Sequence, residues 1–392
     1  MTKGPIPVMQ FCNTSVRAGA EEHILTLLRG LDRKEFRLHL VCSPQVADAV
    51  RSDLPSDVEL LSLVYPTPSH LAGAAQLGRW IRGRRIQVLH SHLFRSSVCA
   101  SPVGWMCRVP LVVETPHVRE SWRRGWKANS FSVDRMAGRF VDRYIAVSYA
   151  NGRYLIEEKG LPEGKVRVIQ NGTDLGRFNP AHIPPPNMRA QLGIGTIDPV
   201  MLVAARLEPQ KGHSVLLSAM PEVLREFPNA RVLCLGDGVL REQLEHQSRE
   251  LNLQENVRFL GFRSNVMDWL ALCDFTILPS FYEGLPLVAV ESLAAGRTMV
   301  ATAVDGTPEV IVNGRTGITV PPADPTALAA AICSLLRSPA LRQRLAEQGR
   351  AYVLERFSQE RQVRETGDFY LEALGRKTSS VHSGEARQAV AS

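Results

Sequence analysis

Ser280-Phe281-Tyr282-Glu283-Gly284-Leu285-Pro286-Leu287-Val288-Ala289-Val290-Glu291-Ser292-Leu293-Ala294-Ala295-Gly296 joins a strand to a helix and carries two glutamates. Just ahead of it, Asp274 to Leu278 is a short apolar run with Phe, Thr and Ile, the signature of a buried strand. The helix is predicted to start at Pro286, since proline suits a first helical position, and to stop at Gly296. Every position from Leu287 to Ala295 is apolar except Glu291 and Ser292, so this helix should be buried. A carboxylate on it then needs a partner, because a buried unpaired charge is costly. Glu283 lies just before the helix, where free backbone N–H groups and the positive dipole end favour an anion. Such a pair suits a ligand with sugar diols for the carboxylates and a phosphate for the helix end. On spacing alone, a loop glutamate in water and a helix glutamate in a salt bridge fit equally well.

Working outward, the same strand-to-helix alternation fills the chain. Strands are predicted at Val8 to Cys12, Arg37 to Cys42, Val58 to Leu63, Ile86 to His90, Leu111 to Val113, Tyr144 to Val147 and Val166 to Ile169, with helices between them, the first from about Glu21 to Leu31. Asn179 to Pro199 then holds five prolines and reads as a linker. A second alternation runs from Val200 through the helix His213 to Glu226 and on to Val320. The fold class is therefore α/β, two doubly wound Rossmann-like domains of parallel sheet facing each other across a cleft, and ligands belong at the carboxyl ends of the strands. The expected boundaries are residues 1–180 for the first domain and 181–356 for the second. Residues 357–374 form a last helix, and 375–392 a frayed tail of small and polar residues.

Other segments fall at strand ends. Arg206-Leu207-Glu208-Pro209-Gln210-Lys211-Gly212 leads into a helix, and two cations five apart there can neutralise a diphosphate without a metal, although such a segment also reads as a solvated loop. Arg17-Ala18-Gly19-Ala20-Glu21 is the first strand-to-helix loop, with Gly19 able to let the backbone approach a phosphate. His117 follows the strand Leu111 to Val113 and faces the same cleft edge. His90 and His92 read as histidines satisfying local backbone groups rather than as a metal pair. Asn171-Gly172-Thr173-Asp174 is a turn in which Gly172 suits positive φ. Gly236-Asp237-Gly238 and Gly261-Phe262-Arg263 fit a nucleotide-base pocket, with Arg263 the contact. Arg119 to Arg143 interleaves seven basic residues with Trp122, Trp126 and Phe131, which fits either an anionic membrane surface or a solvated helix with an aromatic core face.

Glu283-Gly284-Leu285-Pro286 with Glu291 resembles the E-x7-E signature of the retaining glycosyltransferases of the GT4 family. Arg206 to Gly212 resembles that family's R-L-x-P-x-K-G segment, and Asn171 to Asp174 its N-G-x-D turn. The resemblance covers the chain to about residue 374 and implies the GT-B fold, with the last helix crossing back to the first domain. It implies that Glu283 and His117 contact the donor sugar, that Glu291 contacts the ribose, and that Arg206 and Lys211 hold the departing diphosphate. Gly19, Arg263, Gly284, Leu285 and Leu287 complete the expected donor site. In place of the family's usual two glycines, this chain has Ala18 then Gly19. The implied donor is a UDP- or GDP-sugar, and the basic, aromatic segment Arg119 to Arg143 points to a lipid-linked or glycan acceptor of cell-surface polysaccharide or glycolipid synthesis. No D-x-D triplet occurs, so no metal and no cofactor are expected.

Bulk composition agrees with two soluble domains: 392 residues, 44% hydrophobic and 22% charged. No apolar run is long enough to span a bilayer and the first residues are too short for a signal peptide, so a cytoplasmic protein is expected, peripheral at most on the inner membrane face. Seven scattered cysteines read as core residues of a reducing compartment. Residues 1–180 hold 25 Lys and Arg against 16 Asp and Glu, whereas the rest is slightly acidic. That basic half is assigned to the acceptor side and to a membrane surface, not to nucleic acid. Two other readings use the same architecture: a nucleotide-sugar 2-epimerase, which would consume no acceptor, and a non-catalytic nucleotide-binding protein, which would transfer nothing.

Overall fold

Short apolar runs in this chain become strands buried on both faces, which is what a parallel sheet covered by crossover helices demands. The computed structural model describes residues 4–15, 17, 19–118 and 131–376. In the first domain β1 (Ile6–Cys12), β2 (Phe36–Cys42), β3 (Glu59–Ser62), β4 (Val88–His92), β5 (Leu111–Thr115), β6 (Arg143–Ala146) and β7 (Val166–Val168) form one parallel sheet in the order β3-β2-β1-β4-β5-β6-β7. In the second, β8 (Val200–Ala204), β9 (Arg231–Leu235), β10 (Val257–Phe259), β11 (Phe275–Leu278), β12 (Met299–Thr302) and β13 (Ile318–Val320) follow the order β10-β9-β8-β11-β12-β13. The strand order reverses between β1 and β4 and again between β8 and β11. In doubly wound sheets a crevice for ligands opens at that point. The loops after β1, β8 and β11 are the ones that carry Gly19, Arg206 with Lys211, and Glu283.

Each sheet is covered on both faces by its own apolar cluster. Ile24, Leu28 and Leu40 pack on one face of the first sheet, and Phe11, Leu77 and Val112 on the other. Met220, Ile277 and Ile332, and on the opposite face Leu202, Leu293 and Met299, do the same for the second. The proline-rich stretch from Asn179 to Pro199 is not a free tether. It contains a short helix, Met188–Gln191, and Phe178, Met188 and Ile194 are buried in the second core. Apolar anchors between the prolines outweigh the lack of regular structure.

Three further helices carry no clear periodic signal: Pro44–Val50, Phe94–Met106 and Val266–Leu272. Phe94–Met106 contains Pro102 and buries Ser96, Ser97 and Ser101 beside Cys99 and Val103, so it has no polar face to reveal a period.

The chain leaves the second domain at Phe357 and re-enters the first. Thr173 N–H donates to Phe357 O at 3.0 Å, Gln359 N–H to Thr173 O at 3.0 Å, and Gly172 N–H to Gln362 Oε1 at 2.7 Å. Gly172 is not at positive φ, contrary to the turn expectation. It is required for room, because a Cβ there would lie 2.2 Å from Ser358 O. The last helix, Gln359–Ala373, then places Phe369, Tyr370 and Leu371 in the first core.

The two domains also touch directly at the cleft. A Cβ on Gly284 would lie 1.9 Å from His117 O, and one on Gly306 would lie 2.0 Å from Gly284 O and 3.0 Å from Ser148 Cβ. Beside them Glu309 accepts from Tyr149 N–H at 3.0 Å, Ala150 N–H at 2.8 Å and Gln170 Nε2 at 2.7 Å, so a second-domain carboxylate caps the first-domain helix Tyr149–Arg153. Among the described residues no helix is long and apolar enough to cross a membrane. Of the basic, aromatic stretch, residues 119–130 lie outside the described residues, as does the tail from residue 377 and Ala18.

Gly284→Ala has no room, because its Cβ would meet the His117 carbonyl of the other domain. It is expected to hold the domains apart, read as a larger radius of gyration in solution scattering with unchanged far-UV circular dichroism, and to lower turnover by about tenfold or more through misplacement of the cleft walls.

Candidate active site

The second-domain wall is built from two loops pressed backbone to backbone. Gly212, at φ +64°, precedes the helix His213–Glu226, and a Cβ there would lie 2.0 Å from Pro279 O. This contact fixes the Arg206–Lys211 loop against the Ser280–Pro286 loop. Lys211 Nζ therefore sits 2.6 Å from Glu283 Oε1, and Ser280 Oγ donates to the same oxygen at 2.7 Å. Glu283 N–H donates to Asp305 Oδ2 at 2.9 Å, and Gln210 Nε2 to Tyr282 O at 2.8 Å. The carboxylate of Glu283 is thus held by Lys211 and Ser280 rather than by the helix end. Arg206 stands exposed just beyond β8, 3.6 Å from Glu208 Oε1.

The helix Leu287–Ala294 follows, with Gly296 at φ +72° beyond its end. The Glu291 side chain makes no hydrogen bond or ion pair with the described residues, against the expectation of a partner. Instead its proton is retained: burial pushes the carboxyl up to about 7, with Arg177 opposing and Glu22 of the first domain adding to the shift. Leu287, Glu291 and Arg263 from the second domain and Gly19, Glu22 and His23 from the first line one cavity of about 1210 Å³. At Gly19, the first residue of the helix Gly19–Gly30, a Cβ would meet nothing within 4 Å, so this backbone faces open space. Gly284 is spent on contact with His117, and the Leu285 side chain lies in the second core rather than in the cavity.

His117 ends this wall on the first-domain side, buried and at φ +65°, uncommon for a non-glycine residue. It belongs to a group of four buried histidines. His92 Nδ1 lies 3.0 Å from His117 Nε2, and His92 Nε2 lies 2.7 Å from Gln10 Oε1. His90 bonds Tyr370 Oη at 2.6 Å and Thr115 Oγ1 at 2.7 Å. The expectation that His90 and His92 satisfy local backbone groups is therefore corrected: all their partners are side chains. The cause is burial at the carboxyl end of β4, where the sheet already occupies the backbone. His23 stacks edge-on to His117 with ring centroids 4.8 Å apart. Burial lowers the pKa of His23, His90, His92 and His117, so all four are neutral at pH 7.

Sequence reasoning passed over Asp305, Ser280, Gln10 and His23. Ser280 and Asp305 flank Glu283 in space, and only Ser280 flanks it in sequence. Glutamine on a buried strand, Gln10, is a signal in itself, since such an amide needs partners. A second cavity of about 570 Å³ opens on the first domain beyond β1 and β4, walled by Leu63, Tyr65, Leu93, Phe94 and Val118 with Asn13 and Arg95 at its edge.

Residues 185–352 match the family described as glycosyl transferases group 1, and residues 17–177 match Glycosyltransferase Family 4. The chain is 30% identical over 300 residues to a glycogen synthase of Mycobacterium tuberculosis, covering 74% of this chain and 70% of that protein. It is 29% identical to a D-inositol 3-phosphate glycosyltransferase of Streptomyces bingchenggensis, over 78% of this chain and 72% of the relative. Among solved structures it superposes on a glycosyltransferase from Rickettsia africae with a TM-score of 0.81 at 20% identity, covering 95% of this chain and 100% of that one. A structure of the Anabaena HepE protein in complex with UDP gives 0.78 at 21% identity, over 93% and 100% of the two chains. Both likenesses carry the GT-B arrangement of two facing Rossmann-like domains.

The raised pKa of Glu291 makes a signed prediction. A carboxyl that titrates near 7 when folded and near its ordinary 4.5 when unfolded loses stability for the fold as pH rises between those values. Glu291→Gln should match the wild type in thermal unfolding at about pH 5 and exceed it at about pH 8, by at most about 3 kcal/mol. An equal difference at both pH values would show that Glu291 is ionised throughout.

Proposed function

Because this chain belongs to the glycosyl transferases of group 1, we propose that it moves a sugar, with retention of anomeric configuration, from a nucleotide-diphosphate sugar to an acceptor hydroxyl. The observation that carries this reading is the Lys211–Glu283 contact of 2.6 Å at the β8/β11 crevice. It sets a cation for phosphate and a carboxylate for sugar hydroxyls side by side, and Arg206 stands at the same strand end with its guanidinium exposed to meet a diphosphate. Glu283 orients the sugar, His117 closes the opposite wall, and Glu291 accepts from the ribose. Ribose hydroxyls donating to Glu291 would replace the proton it carries in the free protein.

Departure of the nucleoside diphosphate leaves positive charge at the anomeric carbon, while Arg206 and Lys211 take up the negative charge on the leaving oxygen. The acceptor hydroxyl attacks from the face the diphosphate leaves, and that phosphate takes the hydroxyl proton. Two cations on the leaving group support a reaction without a divalent metal. The donor is a UDP- or GDP-sugar; the complex of the similar HepE protein with UDP supports the former.

The acceptor belongs in the apolar first-domain cavity. Its walls, with Val64 among them 59% exposed, support an acceptor with an apolar portion presented at a lipid surface. A lipid-linked intermediate of cell-surface polysaccharide or glycolipid synthesis fits that chemistry, with the protein cytoplasmic and peripheral on the inner membrane face.

Release of nucleoside diphosphate from a panel of UDP-, GDP- and ADP-sugars, with chelator present and with or without a membrane extract, tests the reading. Release stimulated by the extract is the expected result; donor bound but never cleaved would favour a binding protein. Arg206→Ala should lower turnover by around 10²-fold in a folded protein. Turnover near the wild-type level would remove Arg206 from the mechanism.

A further inference from the structure

One nitrogen from each of His23, His92 and His117 lies within 4.8 Å of the others, and all three rings are buried. The rest of each ring decides what those nitrogens can do. His92 Nε2 is engaged by Gln10 Oε1 at 2.7 Å, which leaves Nδ1 as its inward nitrogen. His23 Nδ1 is engaged by Asn171 Oδ1 and by Gln362 Nε2, both at 2.8 Å, which leaves Nε2. His23 Nε2 is buried with no hydrogen-bond partner. With His92 Nε2–H donating to Gln10, that ring presents a bare Nδ1 to the cluster; His23 Nδ1 can donate to Asn171 or accept from Gln362 but not both, and its Nε2 is bare in the tautomer that donates to Asn171. Metal-bound histidines have this arrangement, the outer N–H tied to an oxygen and the inner nitrogen free.

His23 lines the donor cavity and the His117 carbonyl faces Gly284 across the cleft, so the cluster borders the substrate space. We propose that His23, His92 and His117 form a binding site for a borderline-soft divalent cation of the zinc class. Tetrahedral zinc sets its nitrogens about 3.4 Å apart, so the widest gap closes by about 1.5 Å of ring movement and the His92–His117 hydrogen bond gives way to two metal bonds.

The consequence for activity rests on the sugar-transfer reading above. A cation there captures His117 and places positive charge next to the carbon at which positive charge develops, so it opposes the transition state. Zinc is therefore an inhibitor of this enzyme and not its cofactor.

Cobalt titration of the metal-free full chain reads the site without any turnover: a tetrahedral site gives a visible d–d absorption that zinc abolishes. X-ray absorption of the one-zinc protein should show a first shell rich in imidazole nitrogen. His23→Phe should remove the band, and Asn171→Leu should weaken binding by about tenfold or more. No band in the wild type, or the same band in His23→Phe, overturns the site. In the donor-cleavage assay, zinc should suppress turnover and chelator restore it. A zinc-saturated wild type that turns over normally would overturn the inhibition. A chain that binds cobalt but never cleaves any donor would sink the sugar-transfer reading and leave the metal site standing.

Discussion

Backbone contact between the two domains governs this molecule. The carbonyl of His117 and the backbone of Gly284 meet with no space for a side chain, and Gly306 backs Gly284 within its own domain while facing Ser148 of the first. Close approach is what brings a histidine of one sheet and a lysine–glutamate pair of the other to opposite walls of a single crevice. The loops are placed by the strands behind them, and the strands by separate apolar cores, so the geometry is inherited from two rigid bodies and transmitted through a few glycines.

Within that crevice, two glutamates eight residues apart have opposite electrostatic fates. Glu283 shares an oxygen between Lys211 and Ser280. Glu291 is part-buried with Glu22 across the cavity and has no hydrogen-bonded cation, and loss of water around it pushes its carboxyl up to about 7. Sequence spacing treats the two alike. The difference comes from the surroundings that folding supplies, a cation for one and a dry wall with a like charge beyond it for the other.

Much of the architecture could be read from the chain because both sheets are parallel and buried, so each strand is a continuous apolar run and each turn a cluster of glycine and proline. The helix His213–Glu226 even has its predicted ends. Phe94–Met106 was illegible because its buried face carries Ser96, Ser97 and Ser101 while Trp105 and Met106 are exposed, which inverts the amphipathic signal. At the site, Arg206, Lys211, Glu283 and Glu291 sit in loops and a helix whose local patterns can be quoted. The histidine group could not be read, since His23, His92 and His117 come from three separate segments and converge only when β1, β4 and β5 pair. His90 and His92, treated as local, find their partners on β1, β5 and the last helix.

The return of the final helix to the first domain has a consequence for how the protein is made. Phe369, Tyr370 and Leu371 are buried in a core whose other members begin at Ile6. Synthesis delivers every strand of that sheet long before those three side chains exist. The second domain, whose core closes with Leu345 and Phe357, has all its parts before the first one does. The usual order of folding on the ribosome, amino-terminal domain first, is thereby inverted for the last step of packing. Until residue 371 leaves the exit tunnel, the nascent first domain carries an open apolar slot beside Gln10 and His90, a surface for a chaperone to shield.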